Sequence, residues 1–332
     1  MKTLRISDEQ AEALVAPELG AGLVSYDLVG AAGPVPLFRP CRNPSDAGPF
    51  DLASNLLVPW SNRISGGGFR FAGRFHALAP NLPGERYPIH GNGFSSVWSV
   101  ESLAPERVEL SLAATGPGPF HYEARATYAL ADGALTMAIW LRNLGQEPLP
   151  FGLGFHPWIV RTPGTLLQAK AERVLLESLD HLPAGEASLA SRPEWSFAAR
   201  RVLPTSWINN AFLGWDGRAS VFWPESALAL EIVADPPLTT YIVYAPAGDC
   251  GFFCFEPVSH PVDAHNLPGG PTANGLTVLA PRETLSATCL FRPRRLDQHV
   301  MHCGRIACAG MARVSRAGRR DAAPPRSPRK RI

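Results

Sequence analysis

Apolar and polar residues alternate with a period of two along most of the chain, the spacing that sends successive side chains to opposite faces of a β-strand. The stretch "GFRFAGRFHAL", residues 68–78, reads as two strands around a turn at Ala72-Gly73. "RVELSLAAT", "YEARATYAL" and "ALTMAIWLRN" follow at short spacing, the last two joined by "ADG", a hairpin turn signal. "RASVFWP", "LALEIVA", "TTYIVYAP", "GFFCFEP" and "GLTVLAPRETLSATCLFRP" continue the pattern. One helix is predicted, around residues 9–15. So many strands exceed one open sheet, and the expectation is an all-β fold of two packed sheets.

Composition agrees with this reading and divides the chain. The 33 prolines and 30 glycines lie between short apolar runs, as expected of a turn-rich β protein. No repeat of 20 to 50 residues is visible, which argues against a propeller or solenoid. The net charge of +2 hides an asymmetry: residues 293–332 hold eleven Arg or Lys and two Asp, leaving 20 basic and 27 acidic residues before them. The expected organisation is one β-sandwich domain over 1–292 and a basic, solvated tail over 293–332, where alternation stops. An acidic body makes no electrostatic case for nucleic acid. The six cysteines form no CxxC pair, no apolar run reaches 18 residues, and "MKTLRISDEQ" holds no signal-like apolar stretch. The expectation is a cytoplasmic protein without disulfides or a membrane span.

Four short segments set polar groups where a sandwich core would favour apolar ones: Asn62 and Arg63 in "LLVPWSNRISGG", His90 in "YPIHGNGF", His156 in "FGLGFHPWIV" and Glu256 in "GFFCFEPVSH". An ionised group taken out of water is costly unless it is paired or shifts its pKa. Histidine, with a pKa near about 6.5, and a glutamate raised toward it by burial make a donor and an acceptor for moving two protons. Arg63 offers a fixed fork of donors for oxygen atoms. Asn62 and His90 add hydrogen bonds. The nearby aromatics Trp60, Phe94, Trp98, Phe155, Trp158 and Phe255 suggest walls against the faces of a sugar ring. A metal reading of His260, Asp263 and His265 is weaker, because Pro261 breaks helical spacing.

From about Leu23 to Phe291 the chain resembles the aldose 1-epimerases, also called galactose mutarotases. The order of motifs carries the resemblance: an "NR" segment, "HGNGF" followed by Trp98, "GFHPW", and a late "FEPVSHPVDAHN". It implies a large antiparallel β-sandwich, the mutarotase-like supersandwich, with an open cleft, no metal and no organic cofactor. It also implies a small-molecule sugar substrate, with Glu256 as the base at the C1 hydroxyl and His156 as the acid at the ring oxygen. Arg63, His90 and Asn62 would hold the substrate. The segment "INNAFLGWDG" departs from the family's Asp-x-x-Phe, setting Asn209 where an aspartate is usual; Asp216 in "GWDG" either contributes to the site or only makes its turn. The expected activity is anomer interconversion of free aldohexoses by a monomer or homodimer. The alternatives are a hexose-6-phosphate 1-epimerase, with Arg63, Arg70, Arg74 and Arg86 as candidate cations, or a non-catalytic sugar-binding module.

Overall fold

A computed structural model describes residues 1–248 and 250–296. Its ladders build an eleven-stranded sheet, a nine-stranded sheet and two two-stranded ribbons, and every strand ladder among the described residues is antiparallel. The turn readings hold at the level of backbone angles. Gly68–Phe71 and Arg74–Ala77 pair around Ala72 (φ 48°) and Gly73 (φ 79°), and His121–Ala131 and Ala134–Asn143 pair around Asp132 (φ 51°) and Gly133 (φ 76°). Two successive left-handed residues give the turn twist that suits a two-residue hairpin.

The helix expected over residues 9–15 is instead the strand Ala11–Ala16. Asp8 Oδ1 accepts the amides of Gln10 and Ala11, closing a tight turn, and the strand then pairs with Leu4–Ser7 on one side and Gly22–Leu28 on the other. Ala11, Ala13 and Val15 are buried while Glu12 and Leu14 face outward, so two ladders override the helix preference of alanine and glutamate. At the other end, Thr284–Arg295 continues three residues past Arg292, the boundary that composition suggests. Pro293, Arg294 and Arg295 lie opposite Leu230, Ala229 and Leu228, whose ladder extends the strand after alternation has faded. The rest of the expected tail, 297–332, lies outside the described residues.

The inner faces of the two large sheets meet in one core. Phe155, Ile159, Tyr241, Val243, Phe253 and Phe255 come from the larger sheet, and Met137, Ile139, Leu230, Ile232 and Phe291 from the smaller. Each such side chain, fully buried, contributes about 1.5–3 kcal/mol. Tyr26 in the larger sheet donates its hydroxyl to the carbonyl of Gly133, in a hairpin of the smaller, which ties the layers while satisfying the buried hydroxyl. The middle of the larger sheet runs Ser54–Leu57, Gly154–Val160, Phe252–Val258, Thr240–Ala245, Ile208–Leu213 and Arg173–Glu177. Residues that alternate with the core positions on these strands face away from the sandwich. That outer face carries His156, Trp158, Cys254, Glu256, Tyr244 and Asn209.

Candidate active site

Two neighbouring strands bring together the histidine and carboxylate of the two apolar segments. Gly154 lies opposite Val258 and Trp158 opposite Cys254, so the register carries His156 opposite Glu256. Their side chains meet with His156 Nε2 3.4 Å from Glu256 Oε1. Both groups are buried, and the remaining polar atoms, His156 Nδ1 and Glu256 Oε2, have no hydrogen-bond partner among the described residues. Burial pushes Glu256 from the usual 4.5 up to about 8, with Arg63 working in the opposite direction. Burial also pushes His156 down to about 3, and the positive charge of Arg39 adds to the fall. At neutral pH the resting pair is therefore a carboxylic acid beside a neutral imidazole, sharing one titratable proton.

The pair lies in a cleft of about 400 Å³, within the range of small-molecule sites. Asn62, Arg63 and His90 line it as expected, held by a tight backbone exchange. The Asn62 amide donates to His90 Nδ1 at 3.0 Å, and the His90 amide donates to the Asn62 carbonyl at 3.0 Å. With Nδ1 accepting, neutral His90 carries its proton on Nε2 and offers a donor to the cleft. Burial first, then the nearby His156 and Arg63, holds its pKa well below the usual range. Asn62 (φ 56°) and His90 (φ 59°) are both left-handed, and Gly91 lets this turn pass so close to Val58 that an added Cβ would stand 2.1 Å from the Val58 carbonyl oxygen. The Arg63 guanidinium is fixed by a bidentate pair with Glu85 at 3.0–3.1 Å.

Asn209 lines the cleft, but Asp216 does not. Asp216 is exposed beyond the far end of the Ile208–Leu213 strand, where its Oδ1 accepts the Arg218 amide and makes the turn into Arg218–Trp223. Of the expected aromatic walls, only Trp158 faces the cleft; Trp60, Phe94, Trp98, Phe155 and Phe255 are core residues. Phe50, Trp207, Tyr244 and Phe252 supply the apolar surface instead. Arg39 is a further lining residue, its guanidinium over Trp158 (4.9 Å) and Phe252 (4.6 Å) and bonded to the carbonyls of Phe50 and Leu52. No local signal marks it among the 28 arginines. His181, also unanticipated, lines one wall, with Glu177 behind it. An acidic residue at a strand end and a histidine in the following turn were the available signals.

His260, Asp263 and His265 serve the scaffold. His260 Nε2 accepts the Ser61 amide, Asp263 takes the amide and hydroxyl of Ser65, and His265 Nε2 donates to the Pro150 carbonyl. Among the described residues, the donor atoms that do converge, within 4.8 Å, are those of His156, Cys254 and Glu256. Burial raises Cys254 well above the usual thiol range and Glu256 to about 8, so a metal ion there would have to displace two protons at neutral pH.

A two-sheet antiparallel sandwich with a polar cleft on the outer face of its larger sheet is the architecture of the galactose mutarotase-like proteins. The chain belongs to the aldose 1-epimerase family, whose model matches residues 2–292. The Escherichia coli K12 protein YphB, whose own function is uncharacterised, is 34% identical over 263 residues, 77% of this chain and 88% of YphB. The crystal structure of a candidate aldose 1-epimerase from E. coli K12 superposes with a TM-score of 0.82 at 28% identity, covering 89% of this chain and 99% of that one. An aldose epimerase homologue from C. elegans, 17% identical over 89% of this chain and 99% of its own, shares the fold with a TM-score of 0.75.

Proposed function

We propose that this protein interconverts the α and β anomers of free aldohexoses, with Glu256 and His156 moving the two protons. The observation that carries the proposal is the buried pair: a carboxylate and an imidazole on adjacent strands, 3.4 Å apart, each with an unpaired polar atom. The resting form, acid beside neutral imidazole, and the working form, carboxylate beside imidazolium, contain the same number of protons. Passing from one to the other needs a shift within the pair and no exchange with solvent. Glu256 then removes the proton from the C1 hydroxyl while His156 gives its proton to the ring oxygen. The C1–ring oxygen bond breaks and C1 becomes an aldehyde. After rotation about C1–C2, the ring hydroxyl returns its proton to His156 and attacks the other face of C1, and Glu256 reprotonates the C1 oxygen. All atoms and protons balance, and neither a metal nor an organic cofactor enters a step.

His90 Nε2–H, Asn62 and the Arg63 fork would hold sugar oxygens, while Trp158 and Phe252 would cover apolar ring faces. The distribution of cations favours a neutral sugar over its 6-phosphate. Arg70 lies over Phe75, Arg74 pairs with Glu147 and Arg86 with Asp180, and none of the three lines the cleft. Of the two arginines that do line it, Arg63 already has a carboxylate partner, and Arg39 lies over Trp158 and Phe252 with its fork on the Phe50 and Leu52 carbonyls. Polarimetry of freshly dissolved α-glucose, α-galactose and glucose 6-phosphate tests the reading. Faster mutarotation of the free sugars, with little response to salt, is expected. A specificity constant at least about tenfold higher for the phosphosugar, falling steeply with salt, would reverse the choice, because charge-assisted phosphate contacts are screened and neutral hydroxyl contacts are not.

A further inference from the structure

One wall of the cleft is organised by a carboxylate that does not itself line it. Glu177 ends the strand Arg173–Glu177, and its side chain is 14% exposed. Leu175 lies opposite Ala211 on the neighbouring strand, and that register carries Glu177 across from Asn209. Residues 178–182 then turn back, Ser178 donating its amide to the Leu182 carbonyl, and return His181 over the carboxylate. Three donors converge on Glu177: Asn209 Nδ2 and His181 Nδ1 at 2.5 Å on Oε1, and Trp207 Nε1 at 2.7 Å on Oε2. Asn209, His181 and Trp207 all line the cleft.

We infer that Glu177 is a positioning residue that sets the hydrogen-bonding polarity of this wall, so that Asn209 Oδ1 faces the substrate as an acceptor for sugar hydroxyl protons. A carboxylate only accepts, so the groups touching it must donate. The Asn209 amide therefore turns its nitrogen to Glu177 and leaves its oxygen for the cleft. The His181 ring turns its Nδ1–H to Glu177 and its opposite edge to the cleft. Trp207, anchored by its indole N–H, stands as the apolar part of the same wall, with Tyr244 packed edge-on at 5.3 Å. A carboxylate at position 209 would present acceptors directly. Here the charge sits behind the wall at Glu177, and a neutral amide presents the acceptor. The inference deepens the proposed function by naming what selects hydroxyl orientation, and it rests on that reading for the identity of the ligand as a hexose.

The test is a two-residue cycle read by calorimetric binding of galactose and glucose and, separately, by anomer exchange. Glu177→Gln confronts three donors with one acceptor oxygen and one amide, so the dissociation constant and KM should rise roughly fivefold or more while kcat stays within about twofold, the scale of one or two lost hydrogen bonds. Asn209→Asp sets carboxylate against carboxylate and should weaken binding at least about tenfold. The double variant Glu177→Gln/Asn209→Asp restores donor to acceptor in the opposite sense, and binding should return to within about threefold of wild type. A folded Glu177→Gln variant that binds both sugars as wild type does, or a double variant no better than Asn209→Asp, overturns the inference. A wild-type protein that binds hexose in this pattern without exchanging anomers refutes the proposed function and leaves the wall's role standing. A wild-type protein that binds neither sugar refutes both.

Discussion

The middle of the larger sheet and its margin carry different parts of one site. His156 and Glu256 stand on Gly154–Val160 and Phe252–Val258, each paired along both edges and backed by core phenylalanines at the intervening positions. Glu177 and His181 stand where Arg173–Glu177 passes into the turn toward the edge strand Pro183–Ser188, beside a fully exposed Leu179. Local opening costs most where backbone hydrogen bonds are buried and least at exposed turns. Proton transfer needs atoms held to within about half an ångström, which the paired strands supply, whereas hydroxyl recognition gains from a wall that can adjust. Under the proposed function, the difference teaches that reaction geometry sits on the paired centre of the sheet and one part of substrate recognition at its margin.

The strongest way to break that division is to alter its centre. Glu256→Gln and His156→Ala should each lower kcat by at least about a hundredfold, the scale of general acid–base catalysis, with circular dichroism showing the fold retained. A folded variant of either kind with near wild-type mutarotation removes that residue from the mechanism.

The pH profile sharpens the comparison next. The single-proton form of the pair persists between the values to which burial moves its members, about 3 for His156 and about 8 for Glu256. The profile of kcat/KM should be flat across neutral pH and fall about tenfold per unit above roughly 8, as the pair loses its last proton. Glu177→Gln, which alters only the margin, should leave that upper limb in place. A limb that moves by a full unit in this variant would show that the two regions are not separate.

A smaller effect is expected in stability. Glu256 binds its proton more tightly folded than unfolded, so its contribution is complete below 4.5 and is lost as pH rises to about 8. Glu256→Gln has no such loss. Its melting temperature relative to wild type should rise between pH 4.5 and pH 8.5 by several degrees, about 2–4 °C for each kcal/mol in a domain of this size. An unchanged difference across that range would show that burial does not disfavour the ionised carboxylate.

The smallest effect concerns the end of the last strand. Ending the chain after Arg292 removes the ladder partners of Leu228, Ala229 and Leu230, and ending it after Leu296 keeps them. The shorter protein should melt a few degrees below the longer one, with equal kcat, because these rungs belong to the other sheet. Equal melting temperatures would mean that the rungs contribute nothing.

Much of the architecture was legible because local rules and tertiary pairing agree. The Ala72-Gly73 and Asp132-Gly133 turns and the strands Arg107–Thr115, Ala134–Asn143 and Leu228–Ala234 stand where alternation and turn residues set them. The Ala11–Ala16 strand was misread because its helix-favouring residues are overruled by ladders from distant parts of the chain. The centre of the site could be read from one polar residue in each apolar strand. The walls could not, for two reasons. Phe155 and Phe255 precede His156 and Glu256 directly, and adjacent residues of a strand point to opposite faces, so both belong to the core. Arg39, His181, Trp207 and Tyr244 reach the cleft from segments far apart in sequence, through strand order that no local pattern encodes.

The left-handed backbone at Asn62 and His90 has a consequence for how this protein can change. An L-residue in that conformation is disfavoured relative to glycine, by roughly 1–2 kcal/mol. Both positions are therefore places where a change to glycine would relieve the backbone while deleting a side chain from the cleft. Glycine at 90 would also leave the buried Asn62 amide without its acceptor, and glycine at 62 would take the acceptor from the Arg63 amide, so lost hydrogen bonds offset the relief. The side chains that face the cleft are thus the same ones that hold this strained turn in place, so neither position can change for one purpose without touching the other.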